Sequence, residues 1–376
     1  MTKIINARVL CENGFEQRDV YFDNGKISFE GNGADCVVDA AGKMLLPGFI
    51  DIHIHGVRGC DFNDGDVDGL DTIAEFCASH GTTGLLATTS TAHIEALRKA
   101  VVAISTKMET GTVGAGILGL HMEGPFFSTM ALGAQNPEYV LEMTVKNLDY
   151  ILGDNAHILR MAALSPEATG AFEMIDELKR RGVVCAIGHT GADYDTASKA
   201  LEKGANMLTH FYNAMTPLKH RDPGVVGAVF ERGDADIQLI CDFIHVHPAA
   251  LKVAIKNVKR ENVIMISDAI SGTGLGDGQY MLGGLEIFVK DGIARIAEGN
   301  LAGSTLTLDV AMKNMVSIGY SVEEVSRFLS ANPARAIGYG STKGVIGEGY
   351  DADVILMTDD FEVTDTFVGG KCVYSK

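Results

Sequence analysis

Residues Gly48–Gly56 read GFIDIHIHG, an apolar run that carries His53 and His55 one residue apart and closes on a glycine. Successive side chains of a strand point to opposite faces, so an extended run sets these two imidazoles side by side. That geometry suits one metal ion. Taken alone, the pair reads equally well as one satisfied core histidine and one histidine at a strand end, because imidazole serves many purposes. The rest of the chain has to decide.

Outward from this run, strand-like apolar stretches alternate with helix-like ones. Strands are predicted at 48–53, 84–89, 115–121, 157–163, 183–188, 206–210, 237–242 and 262–268. Between them lie helical patterns such as AFEMIDELKRRG and DYDTASKALEKG, several ending on glycine as helix C-termini often do. This alternation predicts an α/β chain folded as a (β/α)8 TIM barrel, a fold of about 250 residues that tolerates insertions. The rival is an open doubly wound sheet, and no GxGxxG between an early strand and helix favours it.

Both chain ends have a different texture. KIINARVL, then DVYF and KISFE joined across Asn24-Gly25, read as short strands and a tight hairpin, and DADVILM, EVTDTFV and KCVYS return to that style. A small β-sandwich domain built from 1–46 and 343–376 is therefore expected beside a barrel spanning 47–342. A further hairpin is expected at Asp291-Gly292, after the eighth strand.

Composition narrows the function classes. The chain has 376 residues, 46% hydrophobic and 21% charged, enough for a large core. A net charge of −18 argues against a nucleic-acid partner and against anionic membranes, so an anionic substrate needs a local basic pocket. Seven scattered cysteines without a CxxC pair fit reduced thiols in the cytoplasm. No apolar run reaches the roughly 18 residues of a membrane span, and the first residues lack a signal-peptide core, so a soluble cytoplasmic protein is expected.

The ligand-type residues then fall into one pattern. His53 and His55 end the first predicted strand; Glu123 follows the third, His189 the fifth, His210 the sixth and Asp268 the eighth. Singly, each has an ordinary reading as a turn cap, a core histidine or a helix N-cap. In a barrel, however, all the carboxyl ends converge on one mouth, where catalytic groups sit. Imidazole and carboxylate without thiolate suit zinc, iron or manganese, and such an ion brings the pKa of bound water to about 7, which points to hydrolysis. Asp268 is placed to take a proton from that water and return it to the leaving group. Lys219, His220 and Arg221 form a basic short run past the carboxyl end of a predicted strand, and an arginine fork matches phosphate.

The segments PGFIDIHIHG, HMEGPF, GHTGA, THFYNAM, SDA and LAGSTLT, in this order over essentially the whole chain, resemble the N-acetylglucosamine-6-phosphate deacetylases of the amidohydrolase superfamily. The resemblance implies hydrolysis of N-acetyl-D-glucosamine 6-phosphate to D-glucosamine 6-phosphate and acetate. It implies Glu123, His189 and His210 as the main metal ligands and Asp268 as the acid/base. It further implies Asn213, Ala214 and Leu301 in sugar contact, Arg221 and His245 at the phosphate, and a homodimer whose sites can borrow a residue from the neighbouring subunit. Some members lack His53 and His55 and work with one ion; here the pair would supply a second position, with Glu123 bridging.

Two departures stand out. GAQNPEY places Gln135 where some members have a histidine, giving a neutral amide for the carbonyl or hydroxyl contact, and SDAISGTGLGDGQY differs from the more usual sequence after the catalytic aspartate. They leave open the C4 epimer, N-acetylgalactosamine 6-phosphate. Other amidohydrolases are the next rivals: dihydroorotases and hydantoinases bridge two metals with a modified lysine at the fourth strand, where RMAALSPE offers none, and D-aminoacylases are a further possibility. A catalytically inactive barrel would be expected to have lost ligands, and none is missing.

Overall fold

A computed structural model describes residues 1–31 and 33–376. Eight parallel strands form one continuous sheet: β1 (Phe49–Ile54), β2 (Thr82–Thr89), β3 (Gly116–Glu123), β4 (Leu159–Leu164), β5 (Val184–Ile187), β6 (Met207–Leu208), β7 (Asp236–Ile240) and β8 (Val263–Ile266). All eight fall where the apolar runs predicted them. Their sequences are near-continuous apolar runs because helices cover the outside while side chains fill the inside; in β2 every residue is buried. The expected helices follow, among them Ile94–Thr110, Ala171–Arg180, Tyr194–Lys203 and Pro248–Asn257, and Asp193 caps the third of these through its side chain.

The sheet closes where the chemistry lies. Beyond β8, Asp268 N–H donates to His53 O at 2.9 Å and His55 N–H donates to Ala269 O at 2.8 Å, which zips the first and eighth strands at their carboxyl ends. Closure therefore sets Asp268 beside the two histidines of GFIDIHIHG.

The terminal segments form two facing sheets. One has four strands, Lys26–Ser28, Val20–Asp23, Thr2–Ile5 and Cys36–Asp39. The other has six, in the order Lys371–Ser375, Val363–Val368, Val354–Met357, Met44–Pro47, Arg8–Cys11 and Gly14–Gln17. Ile4, Val20, Phe22, Leu45, Val354 and Phe367 fill the space between them, making a β-sandwich from both termini. Asn24 and Gly25 both take left-handed φ, as the tight hairpin requires.

The Asp291-Gly292 turn joins two strands of a three-stranded antiparallel sheet, Gly278–Leu282, Leu285–Lys290 and Ile293–Ile296. This flap packs Leu282, Ile287 and Val289 against Ile270 and Ala302, so it belongs to the barrel mouth rather than to the sandwich. Helices Leu308–Ser317, Val322–Leu329 and Ala331–Ala336 then cover the outside before the chain re-enters the sandwich. No helix among the described residues is long and apolar enough to cross a membrane, and all seven cysteines are free.

Candidate active site

His53 and Glu123 lie on β1 and β3 themselves, whereas His55, His189, His210 and Asp268 stand one or two residues past β1, β5, β6 and β8. His189, His210 and Asp268 hold left-handed backbone φ of 44°, 30° and 52°. For non-glycine residues that conformation is uncommon and costs about 1–3 kcal/mol, so it persists where the surroundings impose it, often at functional sites. Here it lets the chain turn sharply off the strand and present the side chain to the barrel axis. All six residues are buried.

Their ligand atoms form two triads that share Glu123. In one, the His53 and His55 Nε2 atoms are 3.3 Å apart and stand 3.3 and 3.2 Å from the Glu123 carboxylate oxygens. In the other, His189 and His210 Nε2 are 3.1 Å apart and stand 3.4 and 3.1 Å from Glu123 Oε1. Two donors each about 2.0–2.1 Å from a tetrahedral ion are roughly 3.3 Å apart, so both triads have the spacing of atoms that face one divalent cation. Glu123 Oε1, buried at their junction, has no hydrogen-bond donor. A buried carboxylate oxygen left without a donor is costly unless a cation takes its place. The donor set and its spacing fit a divalent metal.

The outer nitrogens point the histidines inward. His55 Nδ1 lies 3.2 Å from Thr88 O and His189 Nδ1 lies 3.3 Å from Ala131 O, so each donates to a backbone carbonyl and keeps its Nε2 lone pair for the centre. Burial raises the Glu123 carboxyl, but the imidazoles of His53, His189 and His210 that face it outweigh this and hold the group well below the usual carboxylate range. Burial likewise opposes ionisation of Asp268, and the charges of His53 and His55 overcome it, so this carboxyl also lies below its ordinary value. Asp268 Oδ1 sits 3.4 Å from both His53 and His55 Nε2, an ionised acceptor at the edge of the centre.

A cavity of about 330 Å³ opens from these groups and is walled by Asn213, Ala214, His245, Leu301, Gly303 and the flap residue Leu282. Gln135 also lines it, but its amide is already engaged: Nε2 donates to Glu123 Oε2 at 2.7 Å and Oε1 accepts the Thr91 N–H at 2.8 Å. His245 Nδ1 is 2.6 Å from Asp242 Oδ2, which fixes its ring. Arg221, by contrast, is exposed on the tight Lys219–Asp222 turn and does not line the cavity. A larger cavity of about 740 Å³ lies between the sandwich and helix Val322–Leu329, near Arg18, Phe29 and Tyr350. Neither ligand triad touches it.

Gly303 forms part of the wall because nothing larger fits. A Cβ there would stand 2.4 Å from Ile270 Cγ2 and 2.9 Å from Asp268 O, and its φ of +54° is left-handed. Gly303→Ala is expected to cost about 1–3 kcal/mol and to lower kcat by displacing the Asp268 turn. Thermal unfolding and steady-state kinetics check this; unchanged Tm and kcat would show that the turn has room to spare.

Two site residues have only faint sequence signals. His121 precedes Glu123 by two on β3, hence shares its face; its ring stands edge-on to His53 at 4.7 Å and its Nε2 has no partner. Burial, then the charge of His53, pushes His121 well below the usual imidazole value, so it is neutral. Gln238 is a polar residue inside the apolar run DIQLI, wholly buried on β7. An amide on a strand buried on both faces is the signal that could have found it.

A parallel barrel with two His/Glu triads of metal-ligand spacing at its carboxyl mouth defines the class of metal-dependent hydrolases, and the chain matches the amidohydrolase family over residues 44–373; it belongs to that family. It is 35% identical over 99% of its length, and 99% of the relative's, to an N-acetylgalactosamine-6-phosphate deacetylase of Escherichia coli O157:H7. It is 36% identical to an N-acetylglucosamine-6-phosphate deacetylase of Vibrio furnissii, over 94% of this chain and 89% of that one. The crystal structure of the N-acetylglucosamine-6-phosphate deacetylase of Pasteurella multocida superposes with a TM-score of 0.93 at 30% identity, covering 100% of both chains.

Proposed function

We propose that this protein hydrolyses N-acetyl-D-glucosamine 6-phosphate to D-glucosamine 6-phosphate and acetate, a step of amino-sugar catabolism. The observation that carries the reading is the pair of triads sharing Glu123 with Asp268 at their edge, in a cavity walled by Asn213, Ala214 and His245. Zinc is the ion that best suits tetrahedral imidazole and carboxylate donors, with iron or manganese as its rivals, and two ions per chain is the reading for which both triads argue. Bound there, such a cation would polarise the acetamido carbonyl and make water acidic enough to ionise near neutral pH.

This chain's own groups supply the rest. Asp268 takes the proton from the attacking water and hands it to the amide nitrogen as the C–N bond breaks, so acetate and the free 2-amino sugar leave. Gln135 holds Glu123 in place, while Asn213, Ala214 and Leu301 position the sugar. His245 faces the phosphate end. Arg221 reaches the phosphate of the neighbouring site in a homodimer, and the exposed Leu218 and Ile244 on the same side of the barrel support such an interface. Free cysteines are consistent with a cytoplasmic protein.

The test is acetate release from both C4-epimeric hexosamine phosphates and from N-acetylglucosamine without phosphate. The gluco phosphate is expected to be the best substrate, the unphosphorylated sugar poor, and Arg221→Ala is expected to narrow the gap between them, because the phosphate then relies on weaker partners. Preference for the galacto phosphate would overturn the sugar assignment. Equal efficiency with and without phosphate would overturn the phosphate site.

A further inference from the structure

We propose that Gln238 is a positioning residue that commits His53 to metal binding; this rests on the two-ion reading above. His53 Nδ1 is 3.0 Å from Gln238 Oε1, and the same oxygen accepts the His210 N–H at 3.3 Å. Because a backbone N–H can only donate, the atom it meets is the amide oxygen, and His53 Nδ1 must then be the protonated nitrogen. The Gln238 backbone carbonyl takes a third donor, the Phe211 N–H at 2.8 Å. The Gln238 Nε2 donates to Met161 Sδ, 3.6 Å away.

The need for this acceptor follows from what else His53 can do. Its Nε2 lies 3.3 Å from Glu123 Oε1, so a neutral ring protonated at Nε2 would hydrogen-bond that carboxylate and have no lone pair for an ion. His55 and His189 avoid the choice by donating Nδ1–H to backbone carbonyls. Among the described residues no backbone carbonyl accepts from His53 Nδ1, and Gln238 on β7 supplies the acceptor. The residue is wholly buried. One side-chain oxygen thus selects the tautomer of a ligand in the first triad, while its bond to the His210 N–H is the longer and weaker of the two.

Zinc titration of the metal-stripped full-length protein by calorimetry, with the wild type, Gln238→Met and Gln238→Glu in parallel, tests this. Gln238→Met keeps the volume and removes the acceptor; with Glu123, His189 and His210 as the main ligands, the weaker ion is the one held by His53 and His55, and it is expected to bind about 10–100-fold less tightly while the tighter ion changes far less. Gln238→Glu keeps an acceptor oxygen and is expected to retain both ions, and it also serves if the methionine variant does not fold. Unchanged affinity for the weaker ion in Gln238→Met, equal weakening of both ions, or loss of the weaker ion in Gln238→Glu would overturn the assignment while the wild type still bound two. A wild type that binds one ion would fail on its own titration, and would take both the two-ion reading and this assignment with it.

Discussion

Asp268→Asn is expected to keep the barrel and its metal content and to release acetate about 10²–10⁴-fold more slowly, the usual contribution of a positioned acid/base. The fold should survive because the backbone of residue 268 does the structural work: its N–H donates to His53 O, and its carbonyl accepts the Ser304 N–H at 2.7 Å. Asparagine also tolerates the left-handed φ of 52° found there. What disappears is the ionised oxygen 3.4 Å from the His53 and His55 imidazoles, to which the proposed mechanism assigns the proton transfer. Single-turnover and steady-state acetate release, beside metal analysis of the same preparations, measure the effect. Near-wild-type turnover from a folded, metal-loaded variant would remove Asp268 from the chemistry.

Metal content should divide along the two triads. With metal in excess, the wild type is expected to hold two ions per chain, and His53→Gln with His55→Asn to hold one and keep measurable activity, because Glu123, His189 and His210 still form a three-donor site. Glu123→Ala should lose both, since each triad loses its carboxylate and keeps only two imidazoles. Elemental analysis of the three proteins separates these outcomes. One ion in the metal-saturated wild type would leave His53 and His55 as substrate-facing or supporting groups, and two ions in Glu123→Ala would rule out the bridge.

Much of this architecture is legible in the sequence. A parallel barrel buries both faces of every strand, so each strand announces itself as an apolar run, and polar residues at the end of such a run mark the mouth. That is why His53, His55, Glu123, His189, His210 and Asp268 were legible together. The flap was legible only as a hairpin: Asp291-Gly292 specifies a turn locally, but which surface the hairpin covers depends on Leu282 and Ile287 meeting Ile270 and Ala302. Gln135 and Arg221 show the same limit. A loop residue's type suggests a contact, yet Gln135 is held by Glu123 and Thr91, and Arg221 is exposed and does not line this chain's own cavity.

The sequence by itself determined the element types, the barrel and which side chains reach its mouth, because strand periodicity and apolar burial act over neighbouring residues. Only the tertiary structure decided how those side chains meet. The sharing of Glu123 by two triads, the His53 tautomer set by Gln238 from β7, and the placing of Asp268 by hydrogen bonds between β1 and the turn after β8 all join residues more than 60 positions apart in the chain. Closure of the barrel brings them together, and distances of a few tenths of an ångström then separate a metal centre from a cluster of buried histidines.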